Sequence, residues 1–113
     1  MDIQERTVGG VDILDLSGSL VSGDAVGLLK DKVNSMLQQG RKQLVVNLGA
    51  VSYMDSSGLG ELVSAFTTVA RSQGKLKLLN VTKRNRDLLS ITKLLTVFDT
   101  YDTEDEAVKS FSG

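Results

Sequence analysis

"QLVVNLGAVSYMDSSGLGELVSAFTTVA", residues 43 to 70, changes its period halfway along. The opening six residues, Gln43-Leu44-Val45-Val46-Asn47-Leu48, are almost continuously apolar and β-branched. That pattern suits a strand buried on both faces at the centre of a sheet. Further on, Leu59, Leu62, Val63, Phe66, Val69 and Ala70 recur at the three-and-four spacing of an amphipathic helix, which closes near Gly74. Between the two periods lies Tyr53 to Leu62, an acid and two serines followed by two glycines, placed where strand gives way to helix.

Upstream, Gly9-Gly10 tolerates positive φ at both central positions of a tight turn, so a hairpin is expected there. Its second arm, Val11-Asp12-Ile13-Leu14-Asp15-Leu16, nearly alternates, as a half-buried strand should, and Ser17-Gly18-Ser19 ends it. From Asp24 the period becomes helical through Val26, Leu29, Val33, Met36 and Leu37, with Asp24 as the expected N-cap and Gly40 as the stop.

Downstream, Lys75 to Asn80 reads as a strand, Arg84 to Thr92 as a helix, and Val97 to Tyr101 as a short edge strand. Asp102 to Phe111 reads as a final helix capped by Asp102 or Thr103, with Ala107, Val108 and Phe111 inward. The string is β-β-α-β-α-β-α-β-α. Helices between strands require crossovers and parallel pairing after the first antiparallel hairpin, an α/β arrangement.

The chain has 113 residues, enough for one ordinary domain. Thirteen basic residues against fourteen acids leave a net charge of −1, which supplies no broad footprint for nucleic acid. The densest basic run, Lys83 to Arg86, is short and reads as a solvated helix start. Cysteine and histidine are both absent. Disulfides, thiolate or histidine metal sites and a Ser-His-Asp triad are thereby excluded within this sequence. No apolar run approaches a bilayer span, and Met1 to Arg6 does not resemble a signal peptide, so a cytoplasmic location is expected.

The acid-serine-serine-glycine turn admits three readings. Asp55, Ser56 and Ser57 are all competent helix caps, with Glu61 in the first turn complementing the dipole, although no serine has the Glu or Gln that completes a capping box. Alternatively, Gly58 and Gly60, each costing about 1 kcal/mol relative to alanine, mark close approach by a backbone or a partner. A phosphate on Ser56 would then sit at a helix N-terminus and add about −1.5 to −2 charges to the surface beside Asp55. Catalysis fares worst. The flanks do not give Gly-x-Ser-x-Gly, no histidine can serve as base, and no spacing supports Lys30, Lys42 or Lys77 in that role. No enzyme, cofactor or metal is expected.

"VVNLGAVSYMDSSGLGELVSAF" resembles the signature of the STAS domain, specifically the bacterial anti-sigma factor antagonists. Weaker likeness covers "VDILDLSGSL" and the C-terminal third, hence essentially residues 1–113. The resemblance implies a single domain with a mixed four- to five-stranded sheet, an N-terminal β-hairpin, and helices packed mainly on one face. It implies a regulatory protein that binds an anti-sigma factor serine kinase and releases a sigma factor for transcription. Phosphorylation of the serine after the motif's aspartate, here Ser56, ends that binding, and a serine phosphatase resets the cycle. The implied docking surface comprises Asp55, Ser57, Gly58, Leu59 and Gly60, with Ser22 and Asp24 from the adjoining loop. A weak homodimer is allowed, whereas direct nucleic-acid contact and membrane insertion are not expected.

Two departures stand out. The acid usual after Gly18-Ser19-Leu20 is Val21, with Asp24 either replacing it or capping the helix, the latter being preferred. Lys93 stands before Leu94 where the family often has glycine. The alternative function is an unphosphorylated STAS scaffold subunit of a lipid-transport or stress-signalling complex.

Overall fold

The computed structural model describes residues 2–20, 27–93 and 96–112. Five strands, β1 (Asp2–Val8), β2 (Val11–Leu20), β3 (Gln43–Met54), β4 (Lys75–Leu79) and β5 (Thr100–Tyr101), form one sheet in the order β1-β2-β3-β4-β5. The first pair is antiparallel and the remaining three are parallel. The connecting helices are α1 (Leu28–Gln38), α2 (Ser56–Arg71) and α3 (Lys83–Ile91), and α4 (Glu104–Lys109) follows β5.

Gly9 and Gly10 adopt φ of 57° and 81°, the two positive values that a two-residue hairpin turn of this type requires. β3 is central, and its parity explains its continuous apolarity. Leu44, Val46 and Leu48 face a core shared with Leu29 and Val33 of α1, Leu62 and Val69 of α2, and Leu89 of α3. Val45 points to the opposite face, where Val11, Ile13 and Leu79 pack with Ala107 of α4. Three helices thus lie on one face and the short α4 on the other. That smaller layer is pinned by buried Lys77, whose Nζ donates to the Ser110 Oγ at 2.9 Å and lies 4.3 Å from the Phe111 ring centre.

Several boundaries differ from the sequence reading. α1 begins after Gly27, which has φ 79° and gives no side-chain cap, so Asp24 is not the N-cap of this helix. Asp24, Ser22, Val21 and Val26 lie outside the described residues. Gly40 does end α1. The Gly40 N–H donates to Leu37 O and the Arg41 N–H to Met36 O, the double closure of a Schellman motif.

At the end of α2 the same closure is made by Gln73 and Gly74, but the residue with positive φ is Gln73, at 63°. Gly74 is needed for space instead: a Cβ there would lie 2.6 Å from Lys42 O. Ala70, expected inside, is exposed, and Ala65 takes the core position. The edge strand shrinks to Thr100–Tyr101 because Phe98 is drawn into the core, edge-on to Phe66 with ring centres 5.0 Å apart. α4 is capped by Thr103 rather than Asp102. Lys93 takes φ 62°, a conformation glycine adopts without cost, and Leu94 lies outside the described residues.

Charged networks fasten the hairpin to both faces. Arg41 donates to Asp12 at 2.7 Å and also pairs with Glu5, which Lys32 of α1 contacts at 2.7 Å. On the other face Arg6 bridges Asp15 and Glu104, while the Asn47 Nδ2 donates to Asp15 at 2.8 Å. The Arg6 hydrogen bond holds the Asp15 carboxyl below its usual range despite burial. Burial opposes ionisation of Asp12, yet the Arg41 and Thr7 bonds outweigh it and its pKa is lowered.

Candidate functional site

The site is the junction of β3 and α2. β3 outruns β4: Asn47 is the last residue paired with β4, and β3 continues to Met54 alongside the end of β2. The chain then turns at Asp55 into α2. Asp55 is extended, at φ −103° and ψ −174°, and its Oδ1 accepts from the Gly58 N–H at 2.8 Å. Its carbonyl accepts from the Leu59 N–H at 2.9 Å, beginning the helical ladder. Asp55 is therefore the N-cap, and it satisfies one of the amides that a helix start leaves free.

Of the three residues able to cap, the fold uses the aspartate alone. Ser56 and Ser57 occupy the first two helical positions and are exposed. Neither hydroxyl makes a hydrogen bond among the described residues. Glu61 lies beyond the first turn, which contains no acid. Its Oε1 instead accepts from the Gly27 N–H at 3.3 Å, linking α2 to the start of α1.

The two glycines have different tasks. A Cβ on Gly58 would lie 1.7 Å from Leu20 O, which no side chain could survive without moving backbone. The same Leu20 carbonyl accepts from the Asp55 N–H at 3.4 Å. Gly58 thus lets the start of α2 lie directly against the end of β2. A Cβ on Gly60 would meet nothing within 4 Å, and Gly60 is exposed. Among the described residues nothing requires Gly60 to be glycine.

Among the expected docking residues, Asp55, Ser56, Ser57 and Gly60 come together on one surface. Gly58 and Leu59 are buried, Leu59 within the main core, so their part is to shape that surface. Ser22 and Asp24 lie outside the described residues. Sequence reasoning missed Leu20, whose carbonyl forms the wall behind Gly58. The signal was Gly58 itself, but its partner is far away in sequence. It also missed that the Lys83 to Arg86 run borders this site: Arg84 reaches Ser52 O at 3.5 Å and the Asn85 Nδ2 reaches Val51 O at 3.5 Å.

Two depressions of about 200 and 350 Å³ are lined by residues such as Phe66 and Val97, and Val11 and Phe111, and neither includes Ser56. Among the described residues no three acidic, histidine or cysteine side chains group to hold a metal ion. Lys77, once a candidate base, is engaged with Ser110 beneath α4. No helix among the described residues is long and apolar enough to cross a membrane. The Ser56 hydroxyl is thus exposed at a helix start and makes no hydrogen bond among the described residues.

The sequence model of the STAS domain matches residues 2–107, and the chain belongs to that family. It is 35% identical over 98 residues to the anti-sigma-B factor antagonist of Bacillus subtilis (strain 168), covering 87% of this chain and 80% of the relative. The anti-sigma-B factor antagonist of Listeria monocytogenes is 32% identical over 110 residues, covering 94% of this chain and 91% of the relative. Among solved structures, the Bacillus anti-sigma factor antagonist SpoIIAA is 25% identical in both its unphosphorylated and phosphorylated forms. Each superposes with a TM-score of 0.74, covering 99% and 97% of this chain and 99% of each SpoIIAA chain.

Proposed function

We propose that this chain is an anti-sigma factor antagonist switched by phosphorylation of Ser56. In its unmodified state it docks on an anti-sigma factor that is also a serine kinase, freeing a sigma factor in the cytoplasm. The chain works by binding, not by catalysis. Transfer of the γ-phosphoryl group from ATP to the Ser56 Oγ, with ADP as leaving group and loss of the hydroxyl proton, adds about −1.5 to −2 charges to the docking surface and ends the complex. A serine phosphatase restores the hydroxyl.

The observation that carries this reading is the division of labour at the α2 start. Asp55 supplies the cap, leaving Ser56 exposed with a hydroxyl that the fold does not use. A phosphate there lies beside the capping Asp55, but the helix end has no acid in its first turn, so its free amides and dipole offset part of the added charge. The names of the Bacillus and Listeria relatives, and the existence of SpoIIAA in two phosphorylation states, support the same reading.

The test is phosphopeptide mass spectrometry on the protein isolated from growing and from stressed native cells. Condition-dependent phosphate on Ser56 is the expected result. A well-covered peptide that is unmodified in every condition would leave a docking surface without a switch, the behaviour of a scaffold subunit.

A further inference from the structure

α3 begins with charges of the wrong sign. A helix N-terminus carries partial positive charge and is stabilised by acids. Yet the first turn of α3 holds Lys83 and Arg84 and no acid, with Arg86 just beyond. Both Lys83 and Arg84 are exposed, and neither joins an ion pair among the described residues. Arg86 has only an exposed carboxylate, Asp102, at 4.0 Å. Among the described residues no carboxylate lies within ion-pair distance of Lys83 or Arg84, in a protein whose net charge is −1.

Their position is fixed from the other side. Among the described residues β3 has no strand beside it past Asn47 on its β4 edge, and there Arg84 and Asn85 reach the Ser52 and Val51 carbonyls. Next along the strand is Tyr53, a large side chain left 46% exposed. Ser56 lies four positions on from Ser52, a span of at most about 14 Å for extended chain. A standard docking footprint of about 800 Å² per partner is roughly 30 Å across, so the cations and Ser56 fit within one footprint. Exposed arginine and tyrosine are also the residue types that interfaces favour.

We infer that Lys83 and Arg84, with Tyr53 on the strand that Arg84 reaches, form a second part of the docking surface, and that it receives an acidic segment of the anti-sigma factor. This rests on the reading of Ser56 as the switched centre of that surface. Lys83 and Arg84 steer the partner in and hold its acids, while Ser56 decides whether the complex persists. The local cost of placing cations at a helix start is what the contact requires.

The experiment uses the full chain with a serine-kinase anti-sigma factor from the same organism, its affinity measured at low and high salt. Two variants are compared: Lys83→Glu with Arg84→Glu, and the neutral Lys83→Gln with Arg84→Gln. Thermal midpoints are expected to stay level or rise by about 2 °C, since acids suit a helix start. Binding is expected to weaken roughly tenfold or more in the reversed variant, less in the neutral one, with a flatter salt dependence in both. Unchanged affinity in both variants, with wild type binding normally, overturns this inference and leaves the Ser56 reading intact. Failure of wild type to bind any anti-sigma factor removes both. If the variants lose only an affinity for duplex DNA, the patch serves nucleic acid and the inference is also overturned.

Discussion

α4 starts at Thr103, whose hydroxyl accepts from the Glu106 N–H and donates to the Glu106 carboxylate, and Glu104, Asp105 and Glu106 fill its first turn. α2 starts at Asp55, followed by Ser56, Ser57 and Gly58, with no acid in the first turn. The short helix, whose last turn carries Lys109, follows every local rule for charge and capping. The long one has an acid at its cap, Asp55, but none in the turn that follows, and inserts two glycines there. A six-residue helix needs local help to form at all, whereas sixteen residues with Leu59, Leu62, Ala65 and Val69 in the core do not. The difference shows where the fold had latitude: α2 could leave its first turn free for another purpose.

The largest expected effect breaks the α2 side of this comparison. Gly58→Ala drives a Cβ into Leu20 O and should cost about 3 kcal/mol or more, seen as a large drop in the urea midpoint. Next come the caps. Asp55→Ala should cost about 1 kcal/mol, with Thr103→Ala comparable, and equal losses measured by chemical denaturation would show that the two caps do equivalent work.

Gly60→Ala has the opposite sign. With open space around the new methyl, it should stabilise the free protein by up to about 1 kcal/mol. It should also weaken partner binding if close approach is the reason for the glycine; a stabilised variant with undiminished binding would remove that reason. Ser56→Ala should be the smallest, within about 0.5 kcal/mol of wild type, because Asp55 holds the cap. A loss near 1 kcal/mol in calorimetry would return Ser56 to a structural role.

Much of this was legible before any coordinates. Gly9-Gly10 announced the hairpin, and the continuous run at Leu44 to Leu48 announced a central strand, because each signal is local. The side taken by α4 was latent in the parity of Val11, Ile13 and Val45, which face away from the main core. The site was found but not resolved. Asp55, Ser56 and Ser57 are equally good caps on local chemistry, and only the turn geometry selects one. Gly58 and Gly60 look alike in sequence, and the Leu20 carbonyl that separates them belongs to another strand. The start of α1 was misplaced because its N-cap is Gly27, which has no side chain to signal a cap in the sequence. β5 was overextended because an apolar run cannot say whether Phe98 pairs along a strand or drops onto Phe66.

The sheet order has a consequence for how the chain acquires its shape. Every strand pairs with its neighbours in sequence, so no strand must wait for one synthesised much later. Such a sheet can assemble from its N-terminal edge as the chain leaves the ribosome, at little cost in loop closure. Once β2, β3 and α2 have joined, Gly58 is seated on Leu20 and the Ser56 surface exists, before β5 and α4 have emerged. Pulse-labelled hydrogen exchange on a stalled nascent chain with residues 1–79 clear of the ribosome should find the amides of β3 and α2 already protected.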